Sequence, residues 1–141
     1  MLYYLSLGAN LGDREQTIQD ALVRIEQEIG RVVKSSSFYY SEPWGFESEH
    51  GFCNICCCVE TALEPLEVLH STQSIEKALG RTHKSENGIY SDRTIDIDLI
   101  RAFDEKGKEI KMSSDALLIL PHPLWEERDF VKIPLKEILD D

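Results

Sequence analysis

Between Ile95 and Leu99 the chain alternates without a break, Ile95-Asp96-Ile97-Asp98-Leu99. Successive side chains of a strand point to opposite faces. This segment can therefore bury only one side and must keep two carboxylates on the other. The alternation demands a sheet with one packed face and one polar face at this point. Residues 93–101 are read as the fourth strand of such a sheet.

The rest of the chain supplies the other elements. Residues 2–8 alternate as a first strand. Ile18, Ala21, Leu22, Ile25 and Ile29 recur at helical spacing, and Gly30 stops that helix. Residues 31–41 read as a second strand, 42–51 as a loop and 52–62 as a third strand. Pro65 suits the first position of a second helix, outlined by Leu66, Leu69, Ile75 and Leu79, and Gly80 suits its end. Residues 81–92 are polar without periodicity, which predicts a mobile loop. A charged hairpin around Gly107 follows the fourth strand, then the apolar run Leu117–Leu120, then a short helix after Pro134. The order β-α-β-β-α-β is the ferredoxin-like split β-α-β pattern. It predicts one α+β domain over residues 1–141, with an antiparallel sheet, helices on one face and a C-terminal extension. The other face is left to a ligand.

Charge limits what that ligand is. The formal net charge is −11, from 15 basic and 26 acidic residues, so the overall field repels nucleic acid and anionic membrane. A small anion held by local arginines or by metal ions remains compatible. No apolar run approaches the ~20 residues of a membrane span, and the N-terminal stretch alternates like a strand rather than a signal peptide. Cys53, Cys56, Cys57 and Cys58 crowd into six positions, too close to staple a fold, which fits a reducing cytoplasm. Cys53-x-x-Cys56 has no second pair to complete a zinc site, so the four read as small buried hydrophobes.

The sharpest chemical signal is again the Asp pair. On one strand face the two Cα atoms lie about 6–7 Å apart, and carboxylates so placed repel unless a cation lies between them. Oxygen ligands and open positions suit Mg²⁺. Arg81, His83 and Lys84 open the polar loop before this strand and Arg93 closes it, a cationic rim suited to a nucleotide's phosphates. Gln73 and Glu76, three apart, share one face of the second helix. His122 stands between Pro121 and Pro123, in a stiff backbone that fixes its ring, with Arg128 and Phe130 close behind. Trp44, Phe46 and Phe52 cluster around the first loop, and Asn54 shares a strand face with Phe52. A ring plus an amide suits a flat heteroaromatic ligand. Leu7-Gly8-Ala9-Asn10-Leu11-Gly12-Asp13 reads as a structural turn, with Asn10 or Asp13 capping the first helix.

Together these segments resemble the 6-hydroxymethyl-7,8-dihydropterin pyrophosphokinase family, over about Leu5 to Ile138. The matching pieces are Leu7-Gly8-Ala9-Asn10-Leu11-Gly12, Glu42-Pro43-Trp44-Gly45, Phe52-x-Asn54, Ile75-Glu76 with Gly80-Arg81, Arg93-Thr94-Ile95-Asp96-Ile97-Asp98, Pro121-His122-Pro123 and Arg128-x-Phe130. The resemblance implies transfer of pyrophosphate from ATP to the pterin's hydroxymethyl oxygen. It implies that Asp96 and Asp98 bind two Mg²⁺ ions and that Arg81, Arg93 and His122 contact phosphates. Gln73, Glu76, His83 and Arg128 would line the ATP site. Phe52 and Phe130 would sandwich the pterin, read by Asn54 and by the backbone around Pro43 and Trp44. The loop 81–92 would be a lid. Departures from the family pattern are Pro123 where relatives often carry Tyr, His83 where some carry Arg, Tyr90 where some carry Trp, and a longer segment 101–116. A monomer or weak oligomer is expected. The competing readings are a metabolite-sensing module on the same frame and an RNA-recognition domain. The latter needs a basic, aromatic-studded sheet, which the net charge and the Asp pair oppose.

Overall fold

The computed structural model describes residues 1–10, 12–41, 51–81, 95–114 and 118–139. The Asp-bearing strand divides its side chains as its alternation requires. Ile95, Ile97 and Leu99 are buried in the main core, Asp96 is half-buried and Asp98 is exposed. This strand, Asp96–Phe103, is the fifth of one sheet. The others are β1 (Leu2–Ala9), β2 (Arg31–Ser35), β3 (Tyr39–Ser41) and β4 (Phe52–Glu60), and Asp96–Phe103 is β5. The order is β2-β4-β1-β5, with β3 also pairing β4. Every pairing is antiparallel.

Two helices cover one face. In α1 (Arg14–Glu28) the Asp13 carboxylate accepts the Gln16 N–H and caps the first turn. In α2 (Pro65–Glu76), Glu64 and Glu67 satisfy each other's backbone N–H groups, and Pro65 takes the first position. Ile18, Ala21 and Ile25 of α1 and Val68 and Ile75 of α2 pack with Leu5, Leu7, Ile55, Cys57, Val59 and Ile97 of the sheet. A π-helical turn, Lys77–Arg81, follows α2, and its backbone leaves helical geometry at Gly80.

Three expectations change. The second strand, read as 31–41, is two strands separated by Ser36–Phe38. There the Ser36 hydroxyl accepts the Cys56 N–H and Glu137 accepts the Ser37 N–H, so side chains replace part of the ladder. The last helix does not start after Pro134. It runs Asp129–Ile138 as α3, with Pro134 inside. One missing N–H is outweighed by burial of Val131, Leu135 and Ile138. The helices are also not confined to one face. Those three α3 residues pack on Tyr4, Cys56, Cys58 and Ile100, on the far side of the sheet from α1 and α2. That contact lies toward the Tyr4 end of β1. The Gly8 end, beside Asn54 and Asp96, lies beyond it.

The C-terminal extension is tied to β5. Asp104 accepts the N–H groups of Lys106 and Lys108, and Gly107 turns the hairpin at φ +83, a conformation that favours glycine. Strands β6 (Met112–Ser114) and β7 (Leu118–Leu120) form a separate ladder. Arg101 makes two 2.9 Å bonds to Glu109 and lies 5.0 Å from the Phe103 ring centre and 5.7 Å from that of Trp125. The Arg101 hydrogen bonds hold the Glu109 carboxyl below its ordinary value of 4.5. A depressed folded value means that this stabilisation is complete above the ordinary carboxylate range and is lost as pH falls through the lower value. Glu109→Gln is expected to cost about 0.5–1 kcal/mol at neutral pH. In denaturant titrations the gap to the parent should close as pH drops below that range; a gap that widens in acid would contradict the assignment.

Candidate active site

The register of β1 with its neighbours builds the polar face. Gly8 stands opposite Asn54 on β4 and opposite Asp96 on β5, and Ser6 stands opposite Cys56 and Asp98. A Cβ on Gly8 would lie 2.5 Å from Asn54 Oδ1. The glycine is thus the space into which the Asn54 amide fits. Asn54 is buried, its Nδ2 faces Ser41 Oγ at 3.5 Å, and Phe52 is half-buried on the same strand face. The amide-and-ring corner and the Asp pair therefore meet across one central strand.

The extension brings the histidine to this face. The His122 N–H bonds the Ile100 carbonyl at 2.8 Å, which docks the Pro121-His122-Pro123 segment on β5. Leu124 N–H donates to His122 Nδ1 at 3.1 Å, so a neutral ring carries its proton on Nε2. Burial lowers the His122 pKa, the Asp98 carboxylate pulls it up and the Arg128 guanidinium pushes it down. Asp98, His122 and Arg128 are thus within electrostatic reach of one another. Arg128 also lies 5.9 Å from the ring centre of Phe130, which is exposed.

Glu76 and Gln73 do not share an environment. Gln73 is exposed, whereas Glu76 turns inward beside Thr72 and Ile75. Its carboxylate accepts the Ile97 N–H at 2.8 Å, at the residue between Asp96 and Asp98. The carboxylate holds the strand that presents the Asp pair, a role that helical spacing alone could not reveal. Arg14 was likewise missed. It donates to the Gly51 carbonyl at 2.8 Å and anchors the start of the segment carrying Phe52 and Asn54. Pro43, Trp44, His83, Lys84, Arg93 and residues 82–92 of the loop lie outside the described residues, and Arg81 is described by its backbone.

The cysteines divide between the two faces as the strand period requires. Cys53 and Cys57 enter the core under α1 and α2, and Cys56 and Cys58 enter the one under α3. All four are buried free thiols. Burial raises the Cys56 thiol to about 12 and raises Cys53 and Cys57 as well, so at neutral pH these are protonated and poor nucleophiles. A titration at pH 8 is expected to find four thiols in denaturant and almost none in the native protein. Replacing all four with Ala or Val should leave activity within a few-fold; stoichiometric zinc, or activity that collapses with the folded structure intact, would refute this.

One polar face of the sheet thus carries the Asp96 and Asp98 carboxylates near the His122 imidazole and the Arg128 guanidinium, with the Asn54 amide and the Phe52 ring across β1. Comparison with known proteins gives the family. A sequence model for 7,8-dihydro-6-hydroxymethylpterin-pyrophosphokinase matches residues 4–140. A 2-amino-4-hydroxy-6-hydroxymethyldihydropteridine pyrophosphokinase of Porphyromonas gingivalis is 45% identical over 137 residues, covering 97% of this chain and 90% of that one. The protein of the same name from Bacillus subtilis is 39% identical over 136 residues, covering 96% and 76%. The chain belongs to the 7,8-dihydro-6-hydroxymethylpterin-pyrophosphokinase family. Among solved structures, an HPPK-DHPS in complex with substrates superposes with a TM-score of 0.66 at 13% identity, and wild-type Plasmodium falciparum HPPK-DHPS with 0.65 at 16%. Likenesses at such identity show the fold. This chain spans about 40% of the length of those solved chains.

Proposed function

We infer that the polar face divides the family's reaction between its two sides. The reaction is transfer of pyrophosphate from ATP to the hydroxymethyl oxygen of 6-hydroxymethyl-7,8-dihydropterin, with release of AMP, a step of folate biosynthesis. The observation that carries the division is the register aligning Asn54, Gly8 and Asp96 across three strands. The β4 side takes the pterin, with Asn54 reading its polar edge, Phe52 and Phe130 enclosing its ring, and Pro43 and Trp44 adding backbone contacts. The β5 side takes ATP, with Gln73, Arg81, His83, Arg93, His122 and Arg128 around it and Glu76 acting from behind the strand through its bond to Ile97. The frame is read as a single ferredoxin-like split β-α-β domain, supported by the strand order β2-β4-β1-β5.

The donor chemistry fits Mg²⁺. Asp96 and Asp98 are two carboxylates on one face, and among the described residues no group of three or more His, Cys, Asp or Glu is placed to close around an ion. Mg²⁺ typically takes one or two carboxylates and completes its shell with water and phosphate oxygens. Two ions, held by Asp96 and Asp98, would supply charge neutralisation to the phosphates. The chain's own part is positioning. Glu76 fixes the strand between the carboxylates, and the cations hold the chain of phosphates so that the hydroxymethyl oxygen meets the β-phosphorus in line with the departing AMP. The hydroxyl proton leaves without a general base that this sequence identifies. A cytoplasmic monomer or weak oligomer fits the free buried thiols and the anionic surface, and no described helix is long and apolar enough to cross a membrane.

Incubation of the protein with ATP, Mg²⁺ and the pterin is expected to yield AMP and pterin pyrophosphate in equal amounts. ADP in place of AMP would refute the reaction. Pterin binding without turnover would favour the sensing module.

A further inference from the structure

Asn10 lies one residue beyond the end of β1 and is 1% exposed. Among the described residues it alone has buried side-chain polar atoms, Nδ2 and Oδ1, with no hydrogen-bond partner. The capping role open to it from sequence belongs to Asp13, whose carboxylate accepts the Gln16 N–H. Native proteins pair nearly all buried polar side chains, and an exception calls for a reason. Leaving both ends of an amide unpaired weakens the folded state, a cost that persists where function uses the group.

Its position indicates the use. The last pair of the β1–β4 ladder is Ala9 with Cys53, so Asn10 comes one step further, at the level where β4 begins with Phe52. It is two residues past Gly8, which stands opposite Asn54. The β1–β5 ladder ends at Gly8 with Asp96, whereas the β1–β4 ladder runs on to Ala9, so this second amide follows the end of β1 that is still paired with β4. A carboxamide offers a donor and an acceptor side by side, the complement of the adjacent N–H and C=O groups on the edge of a pterin. We propose that Asn10 determines specificity by pairing with the polar edge of the pterin, so that its amide is satisfied in the complex and not in the free protein. This rests on the assignment of the β4 side to the pterin.

The test compares Asn10→Leu, near in shape but apolar, and Asn10→Asp with the parent, by calorimetry against the pterin and against a non-hydrolysable ATP analogue with Mg²⁺. Removing an unpaired amide should not destabilise, so the Asn10→Leu protein is expected to melt at or above the parent temperature. Both variants should bind the pterin at least tenfold more weakly and the ATP analogue within about threefold of the parent, the discrimination expected when a buried polar contact is lost. An Asn10→Leu protein that melts lower or fails to fold would overturn the proposal, because the amide would then be paired in the free protein. Unchanged pterin affinity, or equal weakening for both ligands, would overturn it too. Failure of the parent itself to bind the pterin would instead overturn the subsite assignment, and this inference with it.

Discussion

Asp98→Ala and Asp96→Ala are each expected to lower turnover by about 10²-fold or more, the scale for removing a key electrostatic element from a transition state. Both residues sit on the polar face of β5, so neither change opens a cavity in the core under α1 and α2. The loss should appear in kcat, with the melting temperature little changed. The two carboxylates act together, so the double variant should fall well short of the product of the single effects. A further sign comes from His122. The Asp98 carboxylate raises its pKa against the larger effect of burial. Removing that charge should push the His122 titration lower in the free Asp98→Ala protein, which NMR of the ring can follow. Turnover within a few-fold of the parent in either single variant would remove the pair from the site.

Gly8→Ala is expected to be the most damaging small substitution on this face. The new methyl would lie 2.5 Å from Asn54 Oδ1 and 3.6 Å from its Cγ. Asn54 is short and buried, so its amide cannot swing clear without giving up its place. Pterin affinity should fall by roughly tenfold or more, the equivalent of about 1.4 kcal/mol, with ATP affinity little affected. In the background of Asn54→Ala the same substitution should cost much less, since the obstructed group is gone. Equal costs in both backgrounds would show that Gly8 serves some purpose other than room for Asn54.

Much of this was legible because strand periodicity is strict. The alternation at 95–99 placed Ile95, Ile97 and Leu99 inward and the Asp pair on the other face, and the structure agrees. The same rule accounts for the division of the cysteines, which occupy two different cores. Asp13 as one of two candidate caps and Gly107 as a turn followed from local backbone chemistry. What escaped was long-range. A Pro inside a helix argues against the helix, and only the burial of Val131, Leu135 and Ile138 against the sheet reverses that. The break within 31–41 depends on bonds to Glu137, 100 positions away from Ser37. Glu76 read as sharing a helix face with Gln73 because its partner is a backbone N–H 21 residues on. Gly8 read as a turn residue because its neighbour Asn54 is found only by register. In each case the deciding contact joins residues distant in sequence, which local pattern does not carry.

The central claim is that Asp96 and Asp98 hold metal between the protein and the phosphates of ATP while Asn54 holds the pterin on the other side of β1. A crystal structure of the ternary complex with a non-hydrolysable ATP analogue, Mg²⁺ and the pterin tests it directly. The expected result is two Mg²⁺ ions bound by the Asp96 and Asp98 carboxylates and by phosphate oxygens, with the pterin against Asn54 and Phe52. Phosphates bound with neither carboxylate on a metal, or a pterin seated away from Asn54, would contradict the account.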